Sequence, residues 1–115
     1  MLDSVSLRAL HTALDGLAER QRVISDDISN VNTPFFTARS VAFEYNLRAA
    51  VLNGDDPTEV SPVTTYSTDP YNLAYNNVNL DAETVLSADT ELRYDLVLRA
   101  TGDRFSLLNI AAKGI

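Results

Sequence analysis

His11 is the only imidazole in the chain, and no cysteine accompanies it. A catalytic or metal site needs a nucleophile with its base, converging carboxylates, or several ligands at a set spacing. His11 lies on the flank of an apolar seam and reads as an ordinary surface or seam-edge residue rather than a general base. Asp26-Asp27 and Asp55-Asp56 suggest a cation at first sight, yet neither pair has the alternating oxygen ladder of a calcium loop, so both read as solvated charge. The four glycines form no phosphate-cradling loop. Without cysteine there are no disulfides, no thiolate catalysis and no Cys zinc sites, while the redox compartment stays open. The sequence thus assigns no catalytic, cofactor-binding or metal-ligating residue, and the expectation is a protein that is not an enzyme and carries no cofactor.

What the sequence does specify is helices that must be covered. Leu7, Leu10, Leu14, Leu17, Ile24, Ile28 and Val31 recur at alternating steps of three and four, with Gln21 the only polar member of the row. That repeat draws one narrow apolar seam along a helix built to lie against another helix. Arg8, Thr12, Asp15, Glu19, Arg22 and Asp26 fall on the opposite face and read as solvent-facing, with Glu19 and Asp26 both spaced to pair with Arg22. Asp3 or Ser4 is placed to cap this helix, and at about 1.5 Å per residue it would run roughly 40 Å to Val31. Gly16 inside it costs about 1 kcal/mol relative to Ala, either simply borne or explained by a neighbouring backbone that approaches there.

Asn30-Val31-Asn32-Thr33-Pro34 ends the helix, since Asn tolerates the left-handed closing conformation and Pro34 pushes Thr33 out of the helical region. Phe35 and Phe36 follow in a loop and read as covers for a seam. The spacing of Phe43, Leu47 and Ala50, with Gly54 just beyond, predicts a short second helix over 40–53. From Thr58 to Asn79 the chain is rich in Thr, Ser, Asn and Pro; Val60, Val63 and Tyr66 could form an extended piece, and Tyr71 and Tyr75 read as anchors on a helix surface. Asn79 or Asp81 caps the last helix, with Asp81 and Glu83 at the positive end of its dipole. It runs to about Ala112, before Lys113-Gly114. Its apolar pairs Val85/Leu86, Leu96/Val97 and Leu107/Leu108 are spaced eleven apart, with Leu92, Ala100 and Ala111 on the same side. Paired residues make that stripe broad enough to serve the first helix along one edge and a second body along the other.

With 16 acidic against 9 basic side chains, the net charge of −7 argues against nucleic acid and against an anionic membrane surface. No apolar run approaches the roughly 20 residues of a membrane span, and the start of the chain lacks the cationic and apolar regions of a cleavable secretory signal.

Three stretches resemble the flagellar basal-body rod proteins, and more narrowly their proximal-rod member. Asp27-Ile28-Ser29-Asn30-Val31-Asn32-Thr33-Pro34 resembles the family's helix-terminating Asn-Ile-Ala-Asn-x-Asn-Thr-Pro-Gly-Tyr; Asp27 stands for its first Asn, Ser29 for Ala, and Phe35-Phe36 for Gly-Tyr. Asn30, Asn32, Thr33 and Pro34 carry that signature. Ala38-Arg39 followed by Phe43 is similar to the family's Ala-Arg-x-x-x-Phe, and Asn76-Asn77-Val78-Asn79-Leu80-Asp81-x-Glu83, then Leu92-Arg93-Tyr94 and Phe105, resembles the proximal-rod carboxy-terminal helix. The resemblance spans both ends; the middle is shorter than the family's. It implies subunits whose terminal helices form coiled-coil columns in a periplasmic shaft, with other rod and basal-body subunits and the type III export apparatus as partners. It implies export without a cleaved signal. Phe43 and Leu47 fit the Phe-x-x-x-Leu export-gate signal of similar subunits, and they are also the i, i+4 pair of an ordinary amphipathic helix.

The resulting expectation is an all-α fold: two long terminal helices pairing as a coiled coil, a short third helix and an irregular or extended middle. One structural domain divides into an N-terminal helix over 1–34, a short helix and polar connector over 35–78, and a C-terminal helix over 79–115. Leu7, Leu10, Leu14, Leu17, Ile24, Ile28 and Val31, with Val85, Leu92, Leu96 and Leu107, are expected to carry subunit packing. The function expected is a structural subunit of the proximal rod, self-assembling into a shaft that transmits torque for motility. The alternative is a soluble acidic helical adaptor that binds a partner's amphipathic helix.

Overall fold

The seven-residue apolar spacing folds as one long helix. α1 spans Leu2–Ser29, so it already runs through Asp3 and Ser4 and neither stands at its boundary. The structure is a computed structural model that describes residues 2–113, the side chains of Leu2, Asp3, Ser4 and Leu108 excepted. The last helix, α3, spans Leu80–Ala112; Gly114, read as part of its stop, lies outside the described residues. Asn79 caps it, its side chain accepting a bond from the Ala82 amide at 3.1 Å, and Asp81 and Glu83 occupy its first turn. At about 1.5 Å per residue α3 is roughly 50 Å long, and it lies along α1.

Between them the chain departs from an all-helical reading. Arg39–Ala42 forms a strand, β1, so residues 40–42, expected as the start of a helix, are extended instead; α2 follows over Glu44–Asn53 and closes on Gly54, whose φ of 76° only glycine adopts freely. A single turn of 3-10 helix covers Pro57–Glu59, and β2, Val63–Tyr66, pairs antiparallel with β1 in the register Arg39 to Tyr66 and Ala42 to Val63. The molecule is thus mostly helical with one two-stranded sheet. Local spacing hid β1, because its partner lies far along the chain and a strand is decided by what it packs against.

The small sheet explains the core. Ile24 and Leu17 are buried as members of the α1 seam, but Val23, off that seam, is buried too, because β1 lies on its side and adds Val41. Leu7, Leu10, Leu14, Ile28 and Val31 are half-buried. Thr12, expected to face solvent, is buried beneath the 3-10 turn and donates its hydroxyl hydrogen to the Pro57 carbonyl at 3.1 Å. Gln21, the polar break in the seam, donates to the Ser87 hydroxyl of α3 at 2.7 Å. The result is an elongated body of 65 × 25 × 14 Å, with a radius of gyration of 17.7 Å against about 13 Å for a compact chain of this length.

Candidate assembly surface

The apolar pairs of α3 divide between two tasks. Leu86 and Val97 are partly covered, whereas their neighbours Val85 and Leu96 are exposed, at 70% and 58%. Leu92 and Leu107 are exposed with them, and Leu98, Phe105 and Ile110 add to the same helix's uncovered apolar area. One α-helix therefore offers one edge to α1 and leaves another bare. Exposed apolar area of this extent along one element marks an interaction surface in a soluble protein.

Grooves open on both sides of the α1–α3 contact. The larger, about 660 Å³, is floored by Leu10, Ala13, Phe43, Leu47, Leu96 and Ala100 and flanked by Arg48, Arg93 and Arg104. The other, about 610 Å³, runs between Leu17, Ala18 and Gln21 of α1 and Thr90, Tyr94 and Asp95 of α3. Both are open to solvent rather than enclosed, as a groove that receives a helix would be.

Phe43 is held at the floor of the larger groove by a cluster that the sequence does not announce. Its ring lies on Gly16, and the Arg20 guanidinium sits 5.1 Å from the ring centroid. Arg20 also donates to the Val41 carbonyl from Nε and Nη2, at 3.1 and 2.8 Å, and grips both Glu44 carboxylate oxygens at 2.6 and 2.5 Å. That guanidinium holds the Glu44 carboxyl below the usual glutamate range. Phe43 is only 3% exposed and Leu47 is half-buried, so in the folded chain this pair is packing.

The loop after α1 is fastened by two buried asparagines. Asn76 donates from Nδ2 to the carbonyls of Asn30 and Thr33, both at 2.8 Å, and accepts at Oδ1 from the Val78 amide. Asn77 accepts from the Ala38 amide at 2.7 Å and donates to the Ser67 and Asp69 carbonyls. Within the loop Thr33 donates to Asn30 Oδ1, while Asn32 and Pro34 are exposed. The left-handed residue is not an Asn but Phe35, at φ 62°, and its ring stacks on Tyr75, itself at φ 58°, with centroids 5.4 Å apart. Tyr75 is thus anchored on a loop rather than on a helix, and Tyr71 meets the Thr37 hydroxyl. Phe36 is half-buried. In the sequence Asn76 and Asn77 figure only in the stretch that resembles the proximal-rod helix; their task of tying distant backbone becomes visible in the fold.

Three of the carboxylates singled out earlier, Asp26, Asp27 and Asp56, have structural partners. Asp26 pairs with Arg39 rather than Arg22, which takes Glu19 instead. Asp56 caps the 3-10 turn through the Thr58 amide and meets Arg8 at 3.5 Å, and the Thr58 bonds hold its carboxyl low. His11 is exposed, 3.6 Å from Asp15. Asp27 is completely buried; both its oxygens accept from the Arg39 amide, at 3.3 and 3.2 Å, and it meets Glu83 across the α1–α3 contact. Burial raises the Asp27 carboxyl, and burial with the neighbouring Asp27 pushes Glu83 up to about 7. Among the described residues no cluster of three or more His, Cys, Asp or Glu could hold a metal, and no helix is long and apolar enough to cross a membrane.

No family model matches the chain. Individual relatives do. It is 30% identical to the flagellar basal body rod protein FlgB of Escherichia coli strain K12, with 99% of each chain covered, and 30% identical to that of Borreliella burgdorferi, covering 90% of this chain and 92% of the relative. The Salmonella typhimurium protein of the same name is 26% identical over 99% of both chains. The Escherichia alignment runs over 137 positions against 115 residues here, so that relative holds segments this chain lacks. Two terminal helices with an uncovered apolar edge, a fastened loop between them, and relatives matched over nearly their whole length lead to one assignment: the chain belongs to the FlgB family of flagellar basal body rod proteins.

Proposed function

We propose that this chain is a structural subunit of the proximal flagellar rod that packs its bare α3 edge, Val85, Leu92, Leu96 and Leu107, into the grooves of neighbouring subunits. The observation that carries this reading is that edge, exposed along a helix whose other edge is already occupied by α1. Fully burying a Leu or Val is worth about 1.5–3 kcal/mol, so four such residues supply a substantial part of a subunit contact. The half-buried α1 residues Leu7, Leu10, Leu14, Ile28 and Val31 are completed by the same neighbours, and coiled-coil columns are the packing that the seven-residue seam favours. Contacts that propagate a shaft are head-to-tail, since self-matching surfaces close into dimers. Torque then passes through packed helices, with no chemistry.

The rod lies in the periplasm, and on this reading the chain reaches it through the flagellar type III apparatus. Phe43 and Leu47 would be read by the export gate only in the unfolded chain, because folding sequesters Phe43 against Gly16. The deciding experiment is complementation of a rod-deficient strain with the Leu92→Asp, Leu96→Asp double variant. Loss of basal-body rods and of motility, with secretion preserved, is expected; normal rods would overturn the assignment of this edge.

A further inference from the structure

We propose that Asp27 and Glu83 hold one proton between them across the α1–α3 contact, and that this joint is fastened while the proton is kept and loosens when it leaves. The geometry leaves few alternatives. Asp27 is wholly buried, and among the described residues the one donor that its oxygens meet besides Glu83 is the Arg39 amide. Glu83 projects from the first turn of α3 onto it, and its Oε2 is buried with no hydrogen-bond partner among the described residues. Two carboxyl oxygens in contact can bond only if one of them carries hydrogen. Two carboxylates sharing a site do not both ionise easily.

The charged groups that face the pair are Asp26 on α1 and Arg39 on β1. Asp26 opposes ionisation of Asp27. Arg39 favours it, but its guanidinium is engaged by the Asp26 carboxylate. Burial outweighs both: the Asp27 carboxyl is raised, and Glu83 is pushed up to about 7. Folded chains therefore hold more protons here than unfolded ones between about 4.5 and about 7, and stability falls as pH rises through that window. Above it two negative charges meet in a confined space. Glu83, only partly covered, is the one able to turn to water, and doing so releases the first turn of α3 from the end of α1.

The test is a titration of the full chain at concentrations where it is monomeric, following side-chain carboxyl carbons by NMR alongside thermal unfolding. Glu83 is expected to titrate with a midpoint near 7, and in Asp27→Asn to fall back toward the ordinary glutamate value of 4.5. The parental melting temperature should decline between pH 5 and 8, and that decline should vanish in Asp27→Asn, whose amide donates to a charged Glu83. Glu83→Gln removes the shared proton from the other side and should flatten the same limb, so the proposal does not hang on one variant folding. A parental Glu83 midpoint in the ordinary carboxylate range, or an undiminished pH limb in the variants, overturns it.

Discussion

The ring of Phe43 lies on the bare α carbon of Gly16, so close that a methyl group there would meet three ring carbons at 2.5–2.6 Å. The glycine inside α1 is therefore neither a tolerated flaw nor a site of backbone approach; it is a socket for a side chain. The Arg20 guanidinium lies over the ring and Phe43 is only 3% exposed, so the ring cannot simply swing away. Gly16→Ala should destabilise the chain by about 1–3 kcal/mol, although Ala favours a helix interior by about 1 kcal/mol. Urea unfolding measures this, and combining it with Phe43→Leu should recover part of the loss. An unchanged or raised midpoint for Gly16→Ala would show that the socket does not exist in solution.

Arg20 ties three elements to one guanidinium, and its substitution separates charge from geometry. The ion pair with Glu44 is partly exposed and contributes at most about 1 kcal/mol. The two bonds to the Val41 carbonyl cost more to lose, since that acceptor is left unpaired beside the core, about 1–3 kcal/mol. Arg20→Lys should restore little, because an ammonium cannot reproduce the planar fork. Glu44 fixes the pH signature. Its folded carboxyl lies below its ordinary value, so its contribution is complete above about 4.5 and is lost as pH falls through the folded value. Thermal melts of the parental chain and Arg20→Lys between pH 3 and 6 should converge on the acid side.

How much of this could be read without coordinates depends on how local each feature is. The row Leu7 to Val31 and the cap at Asn79 are set by neighbours along one helix, and both helices were legible from spacing alone. The spacing of Phe43, Leu47 and Ala50 predicts helix from Ser40 onward, whereas residues 40–42 are strand because Val63 to Tyr66 comes to pair with them. Asp27 looked like solvated charge beside Asp26. Only the arrival of α3, bringing Glu83, makes it a buried acid. The bare edge of α3 lies between these extremes: its eleven-residue period is visible, but which member of each pair would face α1 is not.

Phe35 occupies the left-handed conformation that glycine would adopt without strain. A residue with a β carbon pays about 1–2 kcal/mol for that conformation, while stacking on Tyr75 returns about 0.5–1.5 kcal/mol. Phe35→Gly should therefore change stability by less than about 1 kcal/mol. Phe35→Val keeps the strain, adds a branched β carbon and loses the stack, and should be clearly destabilised. Melting temperatures of the two variants decide this, and a Phe35→Gly chain weakened as much as Phe35→Val would mean that the stack, not the backbone, governs the turn.

Leu17 and Leu92 both belong to apolar stripes, yet the fold gives them opposite duties. Leu17 is 3% exposed within the subunit and Leu92 is 60% exposed. A carboxylate at Leu17 would be buried without a partner, and losing a buried Leu alone costs about 2–5 kcal/mol, a large part of the 5–15 kcal/mol that holds a typical domain together. Leu17→Asp should therefore lose helical circular dichroism and its cooperative melt. Leu92→Asp touches no internal contact of that kind, so the isolated chain should melt within a few degrees of the parent while failing to enter rods. If instead Leu17→Asp stays folded, the α1 seam is not internal to the subunit; if Leu92→Asp also unfolds the monomer, the α3 edge is needed for folding as well as assembly. The two measurements together, melting of the purified chains and incorporation into basal bodies, separate the half of the apolar pattern that folding uses from the half it leaves for neighbours.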